Sequence, residues 1–246
     1  MLRGRPPQPM VVVRHIPSVR PTAAAAQGDD PARRCAYDVS DLESDMTTPR
    51  DLLIATLDAA PHPPVEQGDL SLALAGAELL DLLDAEALTL DGDSIVPRLQ
   101  PALGDPQLDA AATALKRQAP YESVEDWLWR RGRGLYAAYF AGLEKDGLVT
   151  RQRHPRFAIR TARTELVDSP DRRRAAERWE SDEPVLAALA AALGIHDEPA
   201  EDFADRVGDT VVTVVAAVND AVMELEATRQ RRNIEEAAFD NVWRAP

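Results

Sequence analysis

The chain has 246 residues, 45% hydrophobic and 28% charged, near the ordinary globular averages, which excludes fibrous, collagen-like and wholly disordered architectures. Its single cysteine, Cys35, excludes an intrachain disulfide and a cysteine-rich zinc site and fits a reducing compartment. A net charge of -14 sets the mean field against a generic polyanion binder.

Residues 1–45 hold Pro6, Pro7, Pro9, Pro17, Pro21 and Pro31, the tract Ala23 to Ala26 and no sustained apolar period, so no packed structure is expected there. Near the start only Met10 to Val13 is apolar, too short for a secretory core, and the longest uncharged stretch, Pro184 to His196, is too short to span a bilayer. A cytoplasmic location is the expectation. Met46 reads as a fresh start, with Thr48 as N-cap, Pro49 at the first helical position and Asp51 in the first turn. One hypothesis makes Met46 the initiator and everything before it a misassigned extension, which intact mass from the native host would test.

This helix should end near Asp58, before the stiff run Pro61-His62-Pro63-Pro64. A second helix is expected from about Ser71 to Leu83, burying one face through Leu72, Ala73, Leu79, Leu80 and Leu83, with Gly76 marking the close approach of a neighbour. Leu88-Thr89-Leu90 and Ile95-Val96 around Asp91-Gly92 predict a hairpin. Leu108 to Arg117 reads as a helix stopped before Pro120, and Ser123-Val124-Glu125-Asp126 resembles a capping box for the helix carrying Trp127 and Trp129. Two residues apart, the tryptophans project to opposite sides, so at least one belongs to the core. Gly132 and Gly134 break or weaken that helix before it resumes through Leu143. After Gly147-Leu148-Val149, residues Thr150 to Arg163 hold a second, basic hairpin with its turn at His154-Pro155.

Helices follow over Pro170 to Trp179, Pro184 to Leu193, Glu201 to Arg206, and from about Asp209 past Leu225. Arg231 with Glu235 and Arg232 with Glu236 sit at i,i+4 in the poorer orientation, as on a solvated helical extension. The fold class is therefore mainly α, a single helical domain with small β-hairpins. The expected divisions are an N-terminal extension over 1–45, the domain over 46–220 and a helical C-terminal extension over 221–246.

His15, His62, His154 and His196 are scattered, with no spacing that suits a metal or a nucleophile's base. Asp91 and Asp93 form a DxD that could hold a cation, but a two-residue hairpin turn calls for the same residues. No phosphate-loop, dinucleotide or nucleophile-elbow pattern is present. Asp81, Asp84 and Glu86, or Glu180, Asp182 and Glu183, could pair for acid and base work, but such runs are usually solvated faces. Nothing here predicts an enzyme or a cofactor.

One segment departs from the acidic background. Lys116 to Arg163 carries eleven basic residues against five acidic ones, and 26 of the chain's 28 basic residues are arginine. Within it, Arg130-Arg131-Gly132-Arg133-Gly134 combines guanidiniums that bind phosphate bidentately, glycines that admit an anion, and a helix restart with free N–H groups. That suits a phosphate-bearing headgroup. An exposed turn with ordinary surface arginines is the equal alternative.

Leu72-Ala73-Leu74-Ala75-Gly76-Ala77-Glu78-Leu79-Leu80-Asp81-Leu82, followed by Ala87-Leu88-Thr89-Leu90-Asp91, resembles the Gly- and Leu-rich helix and short strand of the Golgi phosphoprotein 3 family, which has bacterial members. Leu108-Asp109, Leu115-Lys116, Pro120, Glu122, Val124 and Trp127 follow the family's spacing, as do Arg133, Leu143, Gly147, Leu148 and the closing Ala216-Ala217-Val218-Asn219. The resemblance covers about residues 50–220. It implies a mostly helical fold and binding of the phosphatidylinositol 4-phosphate headgroup at a membrane surface.

The family's headgroup pocket uses a tryptophan and an arginine near the second helix, and two arginines one turn apart on a later helix. Here the tryptophan position falls near Glu66, the first arginine at Ala75 and the last at Tyr136, and only Arg133 is kept. The hairpin that is apolar in eukaryotic members carries Arg151, Arg153, His154, Arg156 and Arg160, so contact with a membrane is expected through charge, at about 1 kcal/mol per basic residue. The expectation is a non-enzymatic peripheral membrane protein on the inner face of the membrane. Its partner is an anionic phospholipid surface, with a protein partner as a further candidate and no nucleic acid. The contact residues are Arg133, Arg130, Arg131, Arg153 and Arg156. The alternative is a winged-helix-like module binding nucleic acid or protein, since a basic hairpin after a helix also describes a wing.

Overall fold

A helix buried on every side organises the molecule. The computed structural model describes residues 47–61, 63–99, 102–152, 163–198 and 202–244, all within one compact unit. Among them the order is α1 (Thr48–Ala59), α2 (Gln67–Asp84), β1 (Leu88–Asp91), β2 (Ser94–Pro97), α3 (Pro106–Ala114), α4 (Val124–Arg131) and α5 (Leu135–Lys145). There follow β3 (Val149–Gln152), β4 (Arg163–Leu166), α6 (Pro170–Glu180), α7 (Pro184–Ala192), α8 (Phe203–Val207) and α9 (Asp209–Arg244). The mainly α class with two small antiparallel hairpins is what the sequence predicts.

Every residue of α2 from Leu70 to Leu80 is buried, because α1, α4, α5 and α9 all pack against it. The expectation of one buried face is thereby corrected: a helix without a polar face is a core helix. Its two interior polar side chains are provided for. Ser71 donates to the Gln67 carbonyl at 2.7 Å, and Glu78 is met by Arg131 and Tyr139. Gly76 marks a close approach as expected, since a Cβ there would overlap Val218 of α9.

The helix starts show which local signals held. Ser123 caps α4, accepting from the Asp126 N–H at 3.1 Å, and Asp105 caps α3, accepting from the Leu108 N–H at 2.7 Å. At α1 the cap position is Thr47 rather than Thr48, and Thr47 makes no side-chain capping bond. The Thr48 N–H instead donates to Asp81 of α2 at 2.8 Å, so a carboxylate from another helix does the capping. Helix α3 is shorter than expected and stops at Ala114, where Leu115 turns extended.

In the first hairpin Asp91 pairs with Ser94 across the Gly92-Asp93 turn, and Gly92 has φ 63°. The Asp93 carbonyl accepts the Val124 N–H at 2.9 Å, joining the turn to the start of α4. The second hairpin's return strand is Arg163–Leu166, which the sequence reading had placed within Thr150 to Arg163. Arg153, His154, Pro155, Arg156 and Arg160 lie outside the described residues, as do 1–46 and His62. Helix α9 runs unbroken for 36 residues, so the boundary drawn at 220 falls inside it.

Candidate functional site

The corner between α4 and α5 is built from glycine. Gly132 ends α4 with its N–H on the Leu128 carbonyl at 2.9 Å, and a Cβ there would press on that carbonyl and on Ser71 and Leu72 of α2. Gly134, at φ 73°, adopts the left-handed conformation that lets the chain turn into α5. Arg133, exposed between them, makes no ion pair among the described residues.

Its neighbours are differently placed. Arg131 forms a two-pronged pair with Glu78, Nε to Oε2 at 2.7 Å and Nη2 to Oε1 at 2.8 Å, and Tyr139 donates its hydroxyl to the same carboxylate at 3.1 Å. Glu78 is wholly enclosed. Burial pushes its carboxyl upward, with the Arg131 hydrogen bonds pulling the other way; the Tyr139 hydroxyl is pushed up by burial and then by the Glu78 charge. Arg130 makes a second fork, with Nε on Glu122 Oε1 at 2.6 Å and Nη2 on Oε2 at 2.7 Å. It also donates to the Ala114 carbonyl and lies 5.2 Å above the Trp127 ring. Two of the three corner arginines are thus engaged by carboxylates.

The restart of α5 offers fewer free donors than the sequence suggests. The Tyr136 N–H donates to Ser71 Oγ at 3.1 Å and the Leu135 N–H to the Gly132 carbonyl at 3.2 Å. Of the other positions that the resemblance points to, Glu66 is exposed at the N-cap of α2, and Tyr136 is half-buried. Ala75 is fully buried, with its carbonyl accepting from Trp127 Nε1 at 3.1 Å. Trp127 is the core tryptophan of the pair.

A second charged cluster escapes the sequence reading. Asp51, fully buried on α1, accepts from Arg178 Nη1 at 2.8 Å and Arg174 Nη2 at 3.4 Å of α6. Arg178 also reaches Glu183 at 2.9 Å, and Glu183 caps α7 by accepting from the Val185 and Leu186 N–H groups. A cavity of about 490 Å³ adjoins this network, with Thr48, Asp81, Arg178, Glu183 and Thr210 on its wall. Burial lifts Asp81 to about 6, the Thr48 hydrogen bonds and Arg178 pulling the other way. Asp81 and Glu183 were read as part of solvated acidic faces and are instead helix caps; Asp84, Glu86, Glu180 and Asp182 are exposed. The signals on offer were Thr48 and Asp51 at i,i+3 on α1, and Arg174 and Arg178 at i,i+4 on α6.

Among the described residues no group of three or more histidine, cysteine or acidic side chains is placed to hold a metal, and no helix is long and apolar enough to cross a membrane. A search of the curated proteins finds no match. The family model for Golgi phosphoprotein 3 (GPP34) matches residues 49–234, which covers α1, the buried α2, the Arg133 corner and α9 as far as Ile234. By that match the chain belongs to the Golgi phosphoprotein 3 family.

Proposed function

We propose that this protein is a peripheral membrane protein that recognises an anionic phospholipid headgroup, phosphatidylinositol 4-phosphate by family resemblance. It binds, and catalyses no reaction, from the cytoplasmic face of the membrane. The observation that carries the reading is Arg133: an exposed guanidinium without an ion-pair partner among the described residues, held between two glycines on a corner that Ser71 fixes to α2. A guanidinium already matched by a carboxylate gains little from a phosphate, whereas an unmatched one can form two parallel hydrogen bonds to it. Arg130 and Arg131 support the site by holding the end of α4 in place. Arg153 and Arg156 on the following hairpin are proposed to add field strength at an anionic surface.

Vesicle co-sedimentation of the full chain tests this, with phosphatidylinositol 4-phosphate, phosphatidylinositol or cardiolipin in a phosphatidylcholine background. The expected result is sedimentation with the phosphoinositide that Arg133→Glu abolishes. Equal sedimentation with every anionic lipid would reduce the site to a basic surface. None at all would overturn the reading in favour of a protein-binding or winged-helix-like module.

A further inference from the structure

The cavity beside the Asp51 network has a wall of mixed character. Leu80 and Leu83 of α2, Val185 of α7 and Val211 of α9 make its apolar part. Its charged part sets three carboxylates, Asp81, Asp84 and Glu183, against one guanidinium, Arg178. That guanidinium is already committed, with Nη1 on Asp51 at 2.8 Å and Nη2 on Glu183 at 2.9 Å. Glu183 is committed likewise, between Arg178 and the first N–H groups of α7.

Asp81 and Asp84 are placed differently. Asp81 is half-buried and accepts from the Thr48 N–H at 2.8 Å, but makes no ion pair among the described residues. Asp84, exposed, makes neither a hydrogen bond nor an ion pair among them. The two are three residues apart on α2, so their side chains are neighbours on its surface. Thr210, exposed near the start of α9, adds a hydroxyl to the same wall. A carboxylate taken partly out of water without a cation costs free energy that a ligand's positive charge would recover.

The wall also says which cation suits it. A quaternary ammonium is held by aromatic rings, and none lines this cavity. No group of three or more donors is placed to hold a metal among the described residues. A primary ammonium donates from one compact point to several oxygens, and its alkyl stem favours apolar surface. The volume, about 490 Å³, is that of a small-molecule site.

We propose that this cavity binds a primary alkylammonium ion, with the ammonium at Asp81 and Asp84 and the alkyl chain against Leu80, Leu83, Val185 and Val211. The site does not rest on the lipid reading. The Arg133 corner is tied to α2 at Ser71, and Asp81 stands ten residues further along that helix, about 15 Å away.

Calorimetric titration of the full chain with butylammonium chloride at pH 7 and fixed ionic strength tests it, with tetramethylammonium chloride as the matched cation. Butylammonium should bind saturably with one site per chain, and tetramethylammonium far more weakly. Asp81→Asn, which keeps an acceptor for the Thr48 N–H, should weaken binding about tenfold. Asp84→Asn, at an exposed position that folding does not depend on, should weaken it roughly threefold. The charged groups around Asp81 are Asp51 of α1, Asp84 of α2, Arg178 of α6 and Glu183 ahead of α7, while α9 adds only uncharged side chains to the wall. With Asp81 lifted to about 6, wild-type affinity should fall about tenfold from pH 7 to pH 5, as the proton competes with the ammonium. The same fall should be absent in Asp81→Asn. No saturable heat at millimolar butylammonium would overturn the proposal, and so would equal binding of tetramethylammonium. Binding that both substitutions leave unchanged would overturn it too.

Discussion

The α1–α6–α7 network and the α4–α5 corner are both rich in arginine and differ in what the arginines meet. In the network Arg174 and Arg178 converge on Asp51, and Arg178 reaches on to Glu183, so each positive charge has a carboxylate. At the corner the same matching holds Arg131 to Glu78 and Arg130 to Glu122, but gives Arg133 no ion pair among the described residues. Counting arginines would give the two regions similar standing. Pairing separates them: a matched guanidinium is part of the framework, and the one without an ion-pair partner among the described residues is the one proposed to meet a ligand.

The sharpest way to break this comparison is to unmatch a framework arginine. Glu78→Ala leaves the half-buried Arg131 without its carboxylate and Tyr139 without its acceptor, and should cost about 3–5 kcal/mol of unfolding free energy in a urea titration. If the loss were below about 1 kcal/mol, Arg131 would be as free as Arg133 and the distinction would fail. A pH series sharpens the network side. Because Asp81 is lifted from 3.8 to about 6, its protonated form is the one the fold favours. Its contribution to stability is then complete below about 4 and is lost as pH rises through 6, since the native state binds the extra proton in that window. Asp81→Asn, which keeps an acceptor for the Thr48 N–H, should remove that part of the pH slope.

Smaller effects test the surface. Arg172 pairs with Asp58 where both are about a third exposed, so Arg172→Ala should change stability by at most about 1 kcal/mol, and less in high salt. Arg133→Ala should have the smallest effect, within about 0.5 kcal/mol on thermal unfolding, while its effect on vesicle sedimentation is the largest of the series. A variant silent in stability and decisive in binding is what separates a ligand contact from a structural one.

Local chemistry made much of this fold legible. The Ser123 cap, the proline near the start of α1, the hairpin, with its turn one residue later at Gly92-Asp93, and the glycine break around Arg133 all express short-range preferences, and all are found. Gly76 was legible because only close packing rewards a glycine in a helix interior. The pairings that sort the arginines were not. Glu78 and Arg131 are 53 positions apart, Asp51 and Arg178 are 127 apart, and no local pattern joins them. The burial of α2 on all sides concealed its acids in turn: Glu78 and Asp81 look like the polar edge of an amphipathic helix until the neighbouring helices enclose it. The residues around Arg133 suited a phosphate and an ordinary exposed turn equally. Which of its guanidiniums have carboxylate partners depended on the tertiary structure.

Helix α9 also bears on how the molecule comes apart. The Val214 and Val218 side chains are wholly enclosed, and some four turns later the described side chains are bare. One continuous rod of hydrogen bonds is therefore held with very different strength at its two ends. Amides near Val218 should exchange with solvent only when the whole domain opens, whereas those beyond Gln230 should exchange through fraying, with protection falling steadily between them. Deuterium uptake along this single element would then read two quantities at once, the stability of the core at its inner end and whatever holds its outer end in place.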